Sequence, residues 1–144
     1  MIVIAADHAG FELKEGLINY FKEQQITYND LGTYNLESVD YPDYGIKLGE
    51  EFIKGEYELG IVICGTGIGI SIAANKVTGI RAAVVYDELT AKLAKEHNNA
   101  NVLGFGGRTT KLTDAIKYLE IFRSTKHESR HQNRIEKISK YEVK

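Results

Sequence analysis

Fifteen residues in the middle of the chain, Ile61-Val62-Ile63-Cys64-Gly65-Thr66-Gly67-Ile68-Gly69-Ile70-Ser71-Ile72-Ala73-Ala74-Asn75, do most to limit what it can fold into. Three β-branched residues lead into the only cysteine, glycines follow at alternate positions, and an apolar run with small residues comes next. That succession predicts a strand, a tight turn and a helix. Glycines let the backbone take positive φ and let a ligand approach the main chain, while amides of the turn and of the first helical turn lack intrahelical partners. Such a corner attracts an anion or a developing oxyanion. Cys64, at its lip, is expected to feel the same positive potential. The plainer account is a small hydrophobe ending a buried strand, beside a glycine turn that only connects. The spacing C-G-T-G-I-G-I is not the G-x-G-x-x-G of a dinucleotide site.

The same alternation recurs along the chain. Segments 2–6, 26–30, 59–64, 81–85 and 101–105 read as strands. The first helix carries Phe11, Leu17, Ile18 and Phe21 inward, with Glu12, Lys14, Glu15, Lys22 and Glu23 mostly on the wet side. A second spans 44–54, with Pro42 in its first turn and Ile46, Leu48, Phe52 and Ile53 inward. Helices over 67–75, 88–96 (Leu89, Leu93 and Ala94 inward) and 111–122 (capped by Thr110) follow. Residues 128–141 make a charged helix with only Ile135, Ile138 and Tyr141 as an apolar stripe. Five strands alternating with helices predict one Rossmann-like α/β/α three-layer domain over 1–144. Its five-stranded parallel sheet is expected in the flavodoxin-like order 2-1-3-4-5, with a C-terminal helix.

In such sheets ligands bind beyond the carboxyl ends of the strands, where strand order reverses. Asp7 and His8 after the first strand and Cys64 to Gly69 after the third are therefore expected to share one crevice. His8 is placed to bind phosphate or move a proton, or is a turn histidine bonded to a carboxylate such as Asp7. His97 and Asn98 precede a strand and also fit a helix C-cap. Being before a strand, His97 belongs at the opposite edge of the sheet from Cys64, so a catalytic role would serve a neighbouring subunit's site. Arg130 and Arg134 are spaced i, i+4, which can clamp a phosphate, although an isolated pair of this kind more often marks a solvated helix face. Arg108, after Gly106-Gly107, is a further anion ligand by position. Tyr41 is either loop packing or an aromatic wall beside a sugar.

With 18 Lys and Arg against 20 Asp and Glu, the net charge of -2 offers nucleic acid no global attraction. One cysteine excludes an internal disulfide or cysteine metal cluster and fits a reducing compartment. The N-terminus enters a strand without a basic leader, and no apolar run approaches the ~18 residues of a membrane span. The expectation is a soluble cytoplasmic protein.

Taken together, A-D-H-A-G (6–10), D-Y-P-D-Y (40–44), C-G-T-G-I-G-I-S-I-A-A-N-K (64–76), G-I-R-A (79–82), H-N-N-A-N-V-L-G-F-G-G-R (97–108) and R-H-Q-N-R (130–134) resemble the type B ribose-5-phosphate isomerases, in the family shared with galactose-6-phosphate isomerase subunits. The resemblance implies metal-free and cofactor-free aldose–ketose isomerisation of a sugar phosphate. Cys64 is then the base between C2 and C1, and the loop of Gly65, Thr66, Gly67, Ile68 and Gly69 stabilises the enediolate. His97 assists ring opening, beside the substrate ligand Asn98. Asp7 meets sugar hydroxyls or the ring oxygen, and His8, Arg130 and Arg134 meet the phosphate, with Arg108 nearby. The site is implied to lie between subunits of a homodimer, or of a tetramer of paired dimers. Some relatives use a glutamate in the next helix; that position here is Ile70, which cannot take a proton. A hexose 6-phosphate (allose or galactose) isomerase and a non-catalytic phosphosugar-binding module are the alternatives.

Overall fold

The computed structural model describes residues 1–143. Its frame is three strands whose every residue is buried: β1 (Ile2–Ala6), β3 (Leu59–Cys64) and β5 (Val102–Gly106). Near-continuous apolar segments of this kind are stable only when both faces of the sheet are covered. β2 (Tyr28–Asp30) and β4 (Ala82–Val84) are three residues each and only half-buried, as suits edges. All pairings are parallel, and the sheet runs β2-β1-β3-β5-β4.

β4 and β5 are thus exchanged relative to the expected 2-1-3-4-5. Burial explains the exchange: the fully buried β5 takes the interior place beside β3, aligning Gly106 with Cys64, and the shorter β4 closes the edge. The point between β1 and β3 at which strand order reverses survives the exchange, so the crevice expected there is retained.

Alternate side chains of the strands feed two cores. Ile2, Ile4, Ala6, Ile61, Ile63, Leu103 and Phe105 pack under α1 (Phe11–Glu23), α4 (Glu88–Glu96) and α5 (Leu112–Ser124). Val3, Ala5, Val62, Cys64 and Val102 face α2 (Tyr41–Lys54) and α3 (Ile68–Ala74). The chain ends in a 3-10 turn, Ser129–His131, and α6 (Gln132–Glu142). Among the described residues no helix is long and apolar enough to cross a membrane.

Several local expectations are corrected. α2 begins at Tyr41 rather than Tyr44, with Pro42 in its first turn as expected. Its buried face is Gly45, Leu48 and Gly49, while Ile46 and Ile53 are exposed. A Cβ at Gly45 would stand 2.6 Å from the Ile70 carbonyl oxygen, so the glycine is what lets α2 lie directly on α3. In α4, Ala91 and Ala94 face inward and Leu89 outward. Lys111, not Thr110, is the N-cap of α5, and no side chain caps it.

Lys14, placed by its charge on the wet side of α1, is fully buried. Its Nζ donates to both carboxylate oxygens of Asp30 at 2.9 Å and to Glu15 at 3.0 Å. The Phe11 and Tyr34 rings each lie 5.5 Å from it. Asp30 ends β2 and also accepts from the Gly32 amide, so the lysine ties α1 to the start of the 31–40 loop. Lys14→Met keeps the packed stem and removes the cation from Asp30. It is expected to cost about 1–3 kcal/mol in urea unfolding; an unchanged midpoint would show that the ammonium contributes nothing net.

Candidate active site

The crevice between the β1 and β3 ends is assembled mostly by backbone. After β1, Asp7 is buried and its Oδ1 accepts from the Ala9 and Gly10 amides at 2.9 and 3.1 Å, fixing the turn into α1. The Asp7 amide donates to the Ile63 carbonyl, which brings this turn beside Cys64. His8 follows, and its Nδ1 accepts from the Val39 amide at 3.1 Å. The ring proton therefore sits on Nε2. The partner is the 31–40 loop, not the Asp7 carboxylate.

Cys64 is 5 % exposed at the end of β3. Beyond it the 64–67 loop runs alongside the loop after β5: the Gly107 amide donates to the Cys64 carbonyl at 2.8 Å, and the Arg108 amide to Gly65 at 3.0 Å. A Cβ at Gly65 would stand 3.3 Å from the Arg108 guanidinium, so that side chain lies over the loop. Gly67 has φ 79°, and a Cβ there would come within 2.8 Å of the Phe105 carbonyl carbon. Left-handed backbone and lack of space together demand glycine.

α3 starts at once after Gly67. The Thr66 hydroxyl oxygen accepts from the Ile68 amide at 3.3 Å, leaving its proton free to donate outward. The Gly69 and Ile70 amides have no intrahelical carbonyl to meet. The Tyr41 ring lies against Gly69, where a Cβ would approach it to 2.5 Å, so it walls the loop from the α2 side. Asp7, His8, Tyr41, Cys64, the 65–69 loop and Arg108 thus gather at one edge of the sheet. As its thiolate, the nearly covered cysteine there can take a proton from carbon, and the hydroxyl donor and unpaired amides can hold the charge left behind.

The remaining candidates lie at the other edge. His97 closes α4 and its amide donates to Leu93, a cap of the kind its position allowed. Asn99 then takes positive φ (43°), and the chain enters β5 at Val102. Five strand residues at ~3.3 Å each separate this end from Gly106 and its neighbour Cys64, about 16 Å. Asn98 is exposed along the open edge of β4, beside Ala83 and Ala100.

Arg130 and Arg134 are both exposed but do not share one α-helical face. Arg130 lies in the 3-10 turn and ion-pairs with Glu128, holding that carboxyl below its ordinary range. Arg134 is in α6 and reaches His131 Nδ1 at 3.0 Å.

His131 sits in the quoted R-H-Q-N-R stretch but carried no expected role. It is buried, its ring centroid is 4.2 Å from that of His97, and its Nε2 has no hydrogen-bond partner. Burial first, then Arg130, His97 and Arg134, push its pKa down, with Glu128 opposing. The only hint in the sequence was a histidine between two arginines, since the tail reads as solvated. Among the described residues no group of three or more His, Cys, Asp or Glu could hold a metal ion.

The family model for Ribose/Galactose Isomerase matches residues 2–138. The ribose-5-phosphate isomerase B of Escherichia coli is 41% identical over 142 residues, 98% of this chain and 95% of that protein. The structure of ribose-5-phosphate isomerase B from Clostridium thermocellum superposes with a TM-score of 0.95 at 44% identity, covering 99% of this chain and 97% of that one. That of Mycoplasma genitalium, with bound ribulose-5-phosphate, gives 0.92 at 41% identity, over 99% and 96%. A single family model spanning nearly all of the fold, with relatives alike along their whole length, establishes that this chain belongs to the ribose/galactose isomerase family, where it is similar to the type B ribose-5-phosphate isomerases.

Proposed function

We propose that the chain interconverts D-ribose 5-phosphate and D-ribulose 5-phosphate through an enediolate, in a homodimer whose sites combine the two edges of the sheet. The observation that carries this reading is Cys64, nearly covered beside a glycine loop, in a chain whose end-to-end relatives are ribose-5-phosphate isomerases, one holding ribulose-5-phosphate.

In the open-chain aldose, the Cys64 thiolate takes the proton from C2, and the C2–H electron pair forms the C1=C2 double bond. Charge moves to O1, where the Thr66 hydroxyl and those amides of the 65–69 loop that have no partner meet it. The thiol returns its proton to C1, O1 gains a proton and O2 loses one, giving the ketose. Asp7 positions hydroxyls of the sugar. His97, from the second copy, assists opening of the furanose beforehand, with Asn98 holding the substrate beside it. His8, Arg130, Arg134 and Arg108 hold the phosphate, which orients the reacting carbons.

Two features support the shared site. Cys64 and His97 are about a strand length apart in one copy, too far for one pentose carbon skeleton to meet both at bonding distance. Exposed Ile68 and Ile72 on α3 and Tyr86 and Leu89 before and in α4 supply apolar surface near the open edge of β4 for a second copy.

Proton NMR of ribose 5-phosphate with the purified protein in D2O tests the reaction. Loss of the C2 proton signal with ribulose 5-phosphate appearing is expected; no exchange and no product would overturn the pentose assignment, and the same assay on allose and galactose 6-phosphates would identify a hexose enzyme. Cys64→Ala should lower kcat by about 10³-fold with little change in KM. Arg134→Ala should chiefly raise KM, by roughly tenfold or more. Small, comparable effects on both constants would contradict these roles.

A further inference from the structure

We propose that His131 is a positioning residue that holds the His97 ring and the Arg134 guanidinium in one fixed arrangement, so that ring opening and phosphate binding are performed by a coupled unit; this rests on the isomerase reading above.

Three contacts carry the inference. The His131 ring is 4.2 Å from the His97 ring, centroid to centroid, at an interplanar angle of 37°. Its Nδ1 accepts from Arg134 at 3.0 Å, which puts its own proton on Nε2. The turn that carries it is fastened to the end of α4: the Glu128 amide donates to the Glu96 carbonyl at 2.9 Å, and His127 Nδ1 lies 3.1 Å from the same oxygen. One imidazole therefore touches both functional side chains, from a backbone anchored one residue before His97.

A purely packing role does not account for this residue. His131 is 5 % exposed and its Nε2 is unpaired, a cost that a leucine or phenylalanine in the same space would not carry. Its neighbours also bear on its charge. From its own turn and helix come Glu128, Arg130 and Arg134; from α4 come His97 and, against His97 Nε2 at 3.6 Å, Glu96. A second proton would have to sit on Nδ1, facing the Arg134 cation. His131 is thus kept neutral, in line with its lowered pKa, and proton transfer is left to His97.

Two substitutions divide the functions. His131→Asn offers Arg134 an acceptor near the Nδ1 position and removes the ring beneath His97. His131→Phe keeps a ring against His97 and removes the acceptor. With ribose 5-phosphate, the asparagine variant is expected to lose about tenfold or more in kcat at nearly constant KM, and the phenylalanine variant to raise KM by a similar factor at nearly constant kcat. The asparagine variant should also keep exchanging the C1 protons of acyclic ribulose 5-phosphate in D2O, since enolisation needs no ring opening. Thermal unfolding accompanies each assay, and His131→Gln, whose amide reaches toward Nε2 and vacates Nδ1, replaces the phenylalanine variant if that does not fold.

Variants with wild-type constants, or with kcat, KM and exchange all declining in step with stability, would overturn the positioning role. A wild-type chain that neither isomerises nor exchanges would instead overturn the isomerase reading beneath it.

Discussion

The organisation of the molecule follows from its strands all pointing the same way. In a parallel sheet every loop that follows a strand lies at one edge and every loop that precedes one lies at the other. Cys64 ends β3, whereas His97 precedes β5, with five strand residues between the two levels. Within one copy the two levels are about a strand length apart. The acid–base groups of the proposed reaction are divided by the fold itself, and a second copy of the chain is the simplest way to rejoin them.

Each edge is prepared differently for its part. At the Cys64 edge, backbone supplies most of the groups: glycines let neighbouring loops touch, the Gly69 and Ile70 amides have no intrahelical partner, and Asp7 and His8 are held by main-chain groups. Such a surface suits charge that appears only during a reaction, because its donors are fixed before the charge develops. At the His97 edge the groups are side chains on helix ends, tied together through His131 and the carbonyl of Glu96. Long cations there can reach outward to a phosphate without being buried in their own subunit.

Much of this was legible in the residue pattern, for physical reasons that also mark its limits. Apolar runs and glycine turns identify strands and the loop after β3, because backbone geometry and two-sided burial leave few other uses for them. The positions of β4 and β5 were not legible: segments 81–85 and 101–105 look alike as apolar runs, and which one is interior depends on packing between distant segments. Lys14 was misplaced because a charge on a helix normally seeks water, and only Asp30, sixteen residues away, reverses that preference. Leu89 was expected inward by its periodicity and instead faces out near the open sheet edge, where the proposed second copy would cover it. His131 escaped notice because its burial is set by contacts with α4 that helical periodicity in the tail does not encode. The expected separation of His97 from Cys64, by contrast, followed from chain direction alone.

Subunit complementation tests the divided site most directly. Cys64→Ala and His97→Asn proteins, each inactive alone, would be unfolded, mixed in equal amounts and refolded together. If sites pair Cys64 of one copy with His97 of the other, half of the dimers are mixed and each has one intact site, so about a quarter of wild-type activity should return. A mixture that stays as inactive as its components would contradict the account and require Cys64 and His97 to act within one chain or not together at all.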